Sequence, residues 1–449
     1  MNRNRRRLLT ALGAAPLLMH PFARALAGDH FPASLRGTSP LWIPANAPVS
    51  RVPTKLPIQA RVVVIGGGMA GATVAKYLRL WGGSGLQVTL IERERSYVSN
   101  IMSNLVLTGA LTIDSLSFDW KRLVQQYGVK LVSGEVSAID PAGKRVMVDG
   151  NAIEYDRLVV APGVEFDPVP GLETAAARDI VTHAWKAGPQ TAILSRQIAA
   201  MLRGGVFLMS IPKAPYRCPP GPYERACLVA DYLKRTNPGS KLIVLDENPG
   251  IIAEKQTFTH AFNVVHAGVI DYHPGVAVQS VDAAAGTVKT VSGETLKADV
   301  LNVIPAQRAG AILAASGITN SADSRWARVD ELSYESSAVA GIHVIGDSAA
   351  TLQPKAGHIA NQEAKVCADA IVRAFLGLAP DPAPVTSSAC YSPITATDSS
   401  WLTTLFAYDP VSRSMKPIPA GNAEAAQANA RNTDEMRQWF SNLMTDSYA

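Results

Sequence analysis

The 449-residue chain has only four cysteines, Cys218, Cys227, Cys367 and Cys390, and no C-x-x-C among them. That spacing argues against a cysteine-built metal knot or a covalent haem site, so no metal is expected. The histidines His260, His266, His343 and His358 show no metal-ligand spacing either and read as surface or packed side chains. No uninterrupted apolar run reaches the roughly 20 residues that a membrane span needs, so no stable span is expected. Excess charge of one sign is also missing from most of the chain. The formal charge is +5, but Arg3, Arg5, Arg6, Arg7 and Arg24 supply all of it within the first 27 residues, which hold no acid. The balanced remainder gives no bulk electrostatic reason to bind nucleic acid.

Those first residues carry a signal of their own. A basic start, an apolar stretch and the small-residue site Ala25-Leu26-Ala27 read as an export signal. The Arg5-Arg6 pair followed by Leu8-Leu9 fits the twin-arginine type, which carries folded proteins. The expectation is a signal over 1–27 and a periplasmic enzyme that takes its cofactor before export. Residues 28–57, rich in Pro and Ala, read as an extended lead-in.

Beyond the lead-in the pattern is α/β. "RVVVIGGG" (61–68) reads as a buried strand entering a glycine turn, "MAGATVAKYLRLW" (69–81) as a helix and "QVTLIER" (87–93) as a second strand. Gly66, Gly68 and Gly71 form G-x-G-x-x-G at that junction, where bare backbone and a helix N-terminus can meet a pyrophosphate. Glu92, 21 residues past Gly71, stands where a carboxylate accepts from ribose hydroxyls. A purely structural glycine turn is the competing reading. Two further strand ends point to FAD. "RLVVAPG" (157–163) places Ala161 and Gly163 at the close of a first half, and "GIHVIGD" (341–347) ends in Gly346-Asp347, where the acid can bind a ribityl hydroxyl. Together they predict an FAD domain split between 58–175 and 299–378, with a second Rossmann-type domain inserted over 176–298 and a C-terminal domain over 379–449. The inserted strand "GVFLMSIP" runs into "KAPYRCPPGPYE", with no second glycine motif and with prolines that remove N–H donors. NAD(P)H is therefore disfavoured as reductant.

The runs "YRCPPGPYERA", "HAWKAG" (183–188), "IPAQRAG" (304–310), "IHVIGD" and "QPKAGHIANQ" (353–362) resemble the flavoprotein subunit of flavocytochrome c sulfide dehydrogenase, a relative of sulfide:quinone oxidoreductase. The resemblance runs from about residue 60 to 449. It implies a glutathione-reductase-like fold, FAD, a small sulfur substrate such as sulfide and a c-type cytochrome partner. It also implies that Pro305, Lys355 and Gly357 lie around the flavin, and that Cys218 is one member of a redox disulfide. Two family cysteines have no counterpart. Where the family has "GDAC" this chain has "GDSA", with Ala349 in the cysteine's place. Asn100 stands where the family attaches FAD covalently, which implies a non-covalent flavin.

Three residues are candidates for catalysis. Cys218 reads either as a nucleophile that a cation such as Arg217 keeps as thiolate, or as a small buried residue left from a lost pair. Glu224 reads as a base for hydrogen sulfide or as an acid at a helix N-terminus. Lys355 reads as a charge near the flavin or as a solvated loop lysine. Cys227 and Cys367 fall in predicted helices, and a bridge between Cys218 and Cys390 stays open. The function these residues predict is FAD-dependent oxidation of sulfide. A non-catalytic FAD-binding partner protein and an NADH-dependent disulfide reductase are the alternatives.

Overall fold

The computed structural model describes residues 56–449; the expected export signal and most of the lead-in lie outside them. The chain begins with β1 (Ala60–Ile65), α1 (Met69–Gly82), β2 (Leu86–Glu92), β3 (Lys130–Ser133) and β4 (Arg157–Val160). It continues through α2 (Pro189–Ala199), β5 (Val206–Ile211), α3 (Gly221–Thr236), β6 (Lys241–Asp246), β7 (Ile270–Pro274) and β8 (Val300–Val303). Then come β9 (Val329–Asp330), β10 (Glu335–Ser336), β11 (Ile342–Val344) and α4 (Gly357–Phe375). The last elements are β12 (Val385–Pro393), β13 (Ser399–Asp409), β14 (Ser414–Pro417), β15 (Ala423–Glu424) and α5 (Ala430–Tyr448).

A seven-stranded sheet runs in the order β9-β10-β11-β4-β1-β2-β3. Its central strands are parallel, with Val63 paired to Thr89 on one side and to Leu158 on the other. β11 joins β4 in parallel through His343 and Val159, so strands from two distant stretches of chain share one sheet. Val62, Val63 and Val64 are all buried, as expected of a parallel strand covered on both faces rather than one. The intervening residues form a separate parallel sheet, β7-β6-β5-β8. The first sheet reverses its winding at β1, which opens a crevice beyond the carboxyl ends of β1 and β4. Helices α1 and α4 pack together there. Ala70, Ala72 and Ala75 on one, with Ala360, Ala364 and Ala368 on the other, are buried and small, which permits a close approach.

The C-terminal region is more regular than its sequence suggests. β12 and β13 pair antiparallel from Val385–Ala407 to Pro393–Ser399, and α5 follows with the Asn429 side chain accepting from the Asn432 N–H. The apolar alternation is muted because Thr386, Ser388, Ser392, Ser399 and Ser400 fill buried positions. Among the described residues no helix is long and apolar enough to cross a membrane.

Candidate functional site

Gly66 leaves β1 with φ +93°, and a Cβ on Gly71 would lie 1.7 Å from the Gly66 carbonyl oxygen. The turn and the helix can approach this closely only without side chains. Gly68 is the residue that leads into α1. The Glu92 carboxylate accepts from the Gly67 N–H at 2.6 Å and from the Glu94 N–H at 2.9 Å. Each oxygen keeps a lone pair for a further donor such as a ribose hydroxyl. Ala161 closes the crevice beside this turn, its N–H donating to the Ile65 carbonyl at 2.8 Å. The Gly163 carbonyl accepts from the Ser348 hydroxyl, which ties the first half of the site to the second.

The second half follows β11. The Gly346 N–H donates to Glu363 of α4 at 2.6 Å, and burial pushes that carboxyl up to about 8. Asp347 is largely buried, with its Oδ2 4.0 Å from Nη1 of Arg217. Burial raises its carboxyl while Arg217 and Lys355 oppose the rise. Lys355 is no solvated lysine. Its Nζ donates to the carbonyls of Asp347 at 2.8 Å and Ala349 at 2.9 Å and sits 3.7 Å from the Trp326 ring centroid. Burial lowers it to about 8. Gly357 opens α4, and buried Pro305 follows β8.

Cys218 meets this group through the backbone, its N–H donating to the Lys355 carbonyl at 2.7 Å. It sits three residues before α3 at φ +57°, and a Cβ on Gly221 would lie 2.9 Å from its Sγ. In one of the two readings of Cys218, Arg217 holds this thiol as a thiolate. Burial overrides it: desolvation first, then the charges of Cys390 and Glu224, push the thiol well above its ordinary value. Glu224 lies in the first turn of α3, buried, and its Oε1 accepts from Asn104 Nδ2 at 2.9 Å. Burial raises it to about 8 against the Asn104 hydrogen bond. Asn104 is held in turn by fully buried Arg225, whose Nε donates to Asn104 Oδ1 at 2.9 Å. Arg225 also donates to the carbonyls of His183 and Ala184 and stacks on Trp185 at 4.6 Å. The site thus brings Cys218, Lys355, Asp347 and Arg217 together, with Glu224 in the first turn of the helix that follows Cys218.

Several of these groups escape a reading of the sequence. Asn104, Gln307, Trp326 and Glu363 belong to the site although they lie far apart in the chain. Glu363 stands among other polar residues of its helix, so it carried no local signal either. Asn100 uses its Oδ1 to accept from the Ala187 N–H at 2.8 Å. Cys227 and Cys367 are fully buried within α3 and α4. His266, His343 and His358 are packed, each hydrogen-bonded to a backbone group.

The donor set fits FAD. Beside the glycine cradle and the two acids Glu92 and Asp347, Arg217 Nη2 and Gln307 Nε2 are buried without a hydrogen-bond partner among the described residues. Two buried donors without partners call for an acceptor-rich ligand. Fold and site define the class: an FAD-dependent oxidoreductase of glutathione-reductase-like architecture.

Comparisons with known proteins narrow the class. Residues 60–193 match the model of pyridine nucleotide-disulphide oxidoreductases, and residues 191–305 match that of the central part of the sulfide dehydrogenase (flavocytochrome c) flavoprotein chain. The mitochondrial sulfide:quinone oxidoreductase of Dictyostelium discoideum is 26% identical over 186 residues, 40% of each chain. A probable ferredoxin reductase of Castellaniella defragrans is 33% identical over 156 residues, 34% of this chain and 38% of the relative. The chain therefore spans well under half the length of these curated relatives. The sulfide:quinone oxidoreductase from the bacterium Aquifex aeolicus has the same fold, with TM-score 0.69 and 18% identity over 86% of this chain and 92% of that one. The matches make the chain similar in part to the sulfide dehydrogenase flavoprotein chain and to sulfide:quinone oxidoreductases.

Proposed function

We propose that the chain oxidises sulfide, or a related small reduced sulfur compound, with non-covalently held FAD, and passes the electrons to a c-type cytochrome in the periplasm. The observation that carries this reading is the position of Cys218, Arg217 and Glu224. All three fall inside the segment that matches the sulfide dehydrogenase central model, and Arg217 and Cys218 sit against the Asp347–Lys355 end of the FAD cradle.

FAD supplies a two-electron acceptor that can release electrons singly. The chain's own residues do the rest. The α1 N-terminus and the bare turn at Gly66–Gly71 receive the pyrophosphate, and Glu92 and Asp347 hold hydroxyls of the two sugar chains. The positive charge of Arg217, next to Cys218 in the chain, favours a small anion such as hydrosulfide at this site. Glu224, raised to about 8, can take a proton from hydrogen sulfide and release it near neutral pH. Asn104 and Arg225 fix that carboxyl in place. Lys355 clamps the two carbonyls on either side of Ser348, so the loop after β11 keeps its course.

Anaerobic sulfide should bleach the oxidised flavin, and added cytochrome c should recolour it. Failure of sulfide to reduce the flavin in the presence of the cytochrome would sink the reading, and with no donor effective a non-catalytic flavoprotein becomes the better account. NADH should not bleach it. The connection from β5 to α3 carries four prolines, and Pro222 in the first turn of α3 offers no N–H to a nicotinamide pyrophosphate.

A further inference from the structure

The end of α5 grips the glycine turn from 381 residues away in sequence. The buried Tyr448 hydroxyl donates to the Gly67 carbonyl at 3.2 Å, beside Trp120 Nε1, which donates to the same oxygen at 2.9 Å. The N–H of Gly67 is the one that Glu92 accepts. The ribose acid and Tyr448 therefore hold opposite ends of a single residue of the turn. The Tyr448 ring stacks on Tyr97, with centroids 5.2 Å apart, and on Phe118, with centroids 5.6 Å apart. Those two rings are paired across a short antiparallel ribbon, and a Cβ on Gly68 would lie 3.8 Å from Tyr97. The residues next to Tyr448 are tied down as well. From α1, buried Lys76 donates to the carbonyls of Asp446 at 2.9 Å and Thr445 at 3.3 Å and to that of Ala449, and the Tyr77 hydroxyl donates to Asp446 Oδ1 at 2.6 Å. From α4, Asn361 Nδ2 donates to Asp446 Oδ2 at 2.8 Å, and Lys365 pairs with the same oxygen at 2.8 Å. A lysine on the last carbonyls of α5 satisfies groups that a helix C-terminus leaves open and complements its negative end. Asp446 thus joins the two helices that pack at the crevice.

We propose that residues 445–449 are a clasp that presets the glycine turn for the pyrophosphate of FAD, with Tyr448 as its positioning residue, so that docking of this segment and binding of FAD are coupled. The proposal rests on the FAD cradle described above and not on the sulfur chemistry. Its physical basis is preorganisation. Three successive glycines, Gly66, Gly67 and Gly68, have more backbone freedom to lose than any other residues. A turn already fixed through the Gly67 carbonyl needs less ordering when the ligand arrives, and the binding free energy gains by that amount. Coupling of this kind is reciprocal: FAD holds the segment as strongly as the segment holds FAD.

The test titrates full-length protein, stripped of flavin, with FAD and follows the quenching of flavin fluorescence. Tyr448→Phe keeps the ring and loses only the hydroxyl, so it should weaken FAD binding by about 5-fold, the order expected of one hydrogen bond. Tyr448→Ala loses the two ring contacts as well and should weaken binding by more than about 10-fold. A merely structural role would lower the melting temperatures of the stripped and loaded protein alike and leave the affinity at its wild-type value. Hydrogen exchange on the wild type gives a second readout that needs no variant. FAD should slow exchange at 445–449 as well as at the glycine turn, and leave β7 unchanged. Wild-type affinity in both variants, or exchange at 445–449 that FAD does not slow, would overturn the proposal; if the variants fail to fold, the exchange result decides it. Uptake of FAD with equal affinity by all three proteins removes the clasp alone, whereas a wild-type protein that takes up no FAD removes the cradle reading and the clasp with it.

Discussion

The backbone N–H of Cys218 donates to the carbonyl of Lys355 at 2.7 Å, and the Lys355 ammonium in turn donates to the Asp347 carbonyl at 2.8 Å. A thiol from the inserted domain is thereby fixed to the flavin-binding loop of the other domain through one lysine. Removing the charge should loosen both. Lys355→Met should lower stability by about 2 kcal/mol, since hydrogen bonds from a charged donor contribute roughly 1.5–3 kcal/mol each and relief of burial offsets part of that. It should also slow flavin reduction by sulfide. Thermal denaturation and anaerobic stopped-flow absorbance measure the two effects. Wild-type kinetics in Lys355→Met would remove the clamp from the mechanism.

Cys218→Ala should lose sulfide-driven flavin reduction by at least about 100-fold, the lower range for removal of a group that acts directly in the chemistry. FAD content should stay at the wild-type level, because none of the cradle contacts is touched. Full sulfide turnover in this variant would show that the thiol is not used.

Gly71→Ala should be purified without flavin. The added Cβ would sit 1.7 Å from the Gly66 carbonyl oxygen, so either the turn or α1 must move. Overpacking of this kind costs about 1–3 kcal/mol or more. The flavin-to-protein absorbance ratio and the melting temperature check it.

Glu224 predicts a pH dependence of stability. Its folded-state value, about 8, lies above the ordinary 4.5, so between these two the folded protein binds more protons than the unfolded chain. Its contribution is fully present below pH 4.5 and is lost as pH rises through 8. The slope approaches about 1.4 kcal/mol per pH unit within that window. Glu224→Gln should flatten the curve there, which urea titrations at several pH values would reveal. An unchanged slope would place the titrating group elsewhere.

Acid precipitation should release FAD into the supernatant from the wild-type protein. Asn100 stands where the resemblance puts the attachment cysteine, and its amide oxygen accepts from Ala187 at 2.8 Å. Flavin that stays with the pellet would contradict non-covalent binding.

The cradle was legible in the sequence because its signals are local. A buried strand, a turn that demands positive φ at Gly66, a helix and an acid at the end of the next strand lie within about one βαβ unit. "GIHVIGD" was equally readable as a strand end. The C-terminal sheet was obscured because buried serines and threonines replace the apolar alternation that marks a strand. The protonation of the site was also hidden. Arg217 beside Cys218 suggested a thiolate, yet the thiol is driven up, because desolvation depends on everything packed around it and not on its sequence neighbour.

The sequence by itself determined the dinucleotide half of this protein: the glycine turn, Glu92, Asp347 and the missing second glycine motif. Only the tertiary structure decided what surrounds Cys218. Lys355, Glu224 and Cys390 come from a loop, a helix and a strand that meet only when two domains and the C-terminal sheet pack together. Burial, charge coupling and hydrogen-bond partnership are properties of that packing, and no local pattern encodes them.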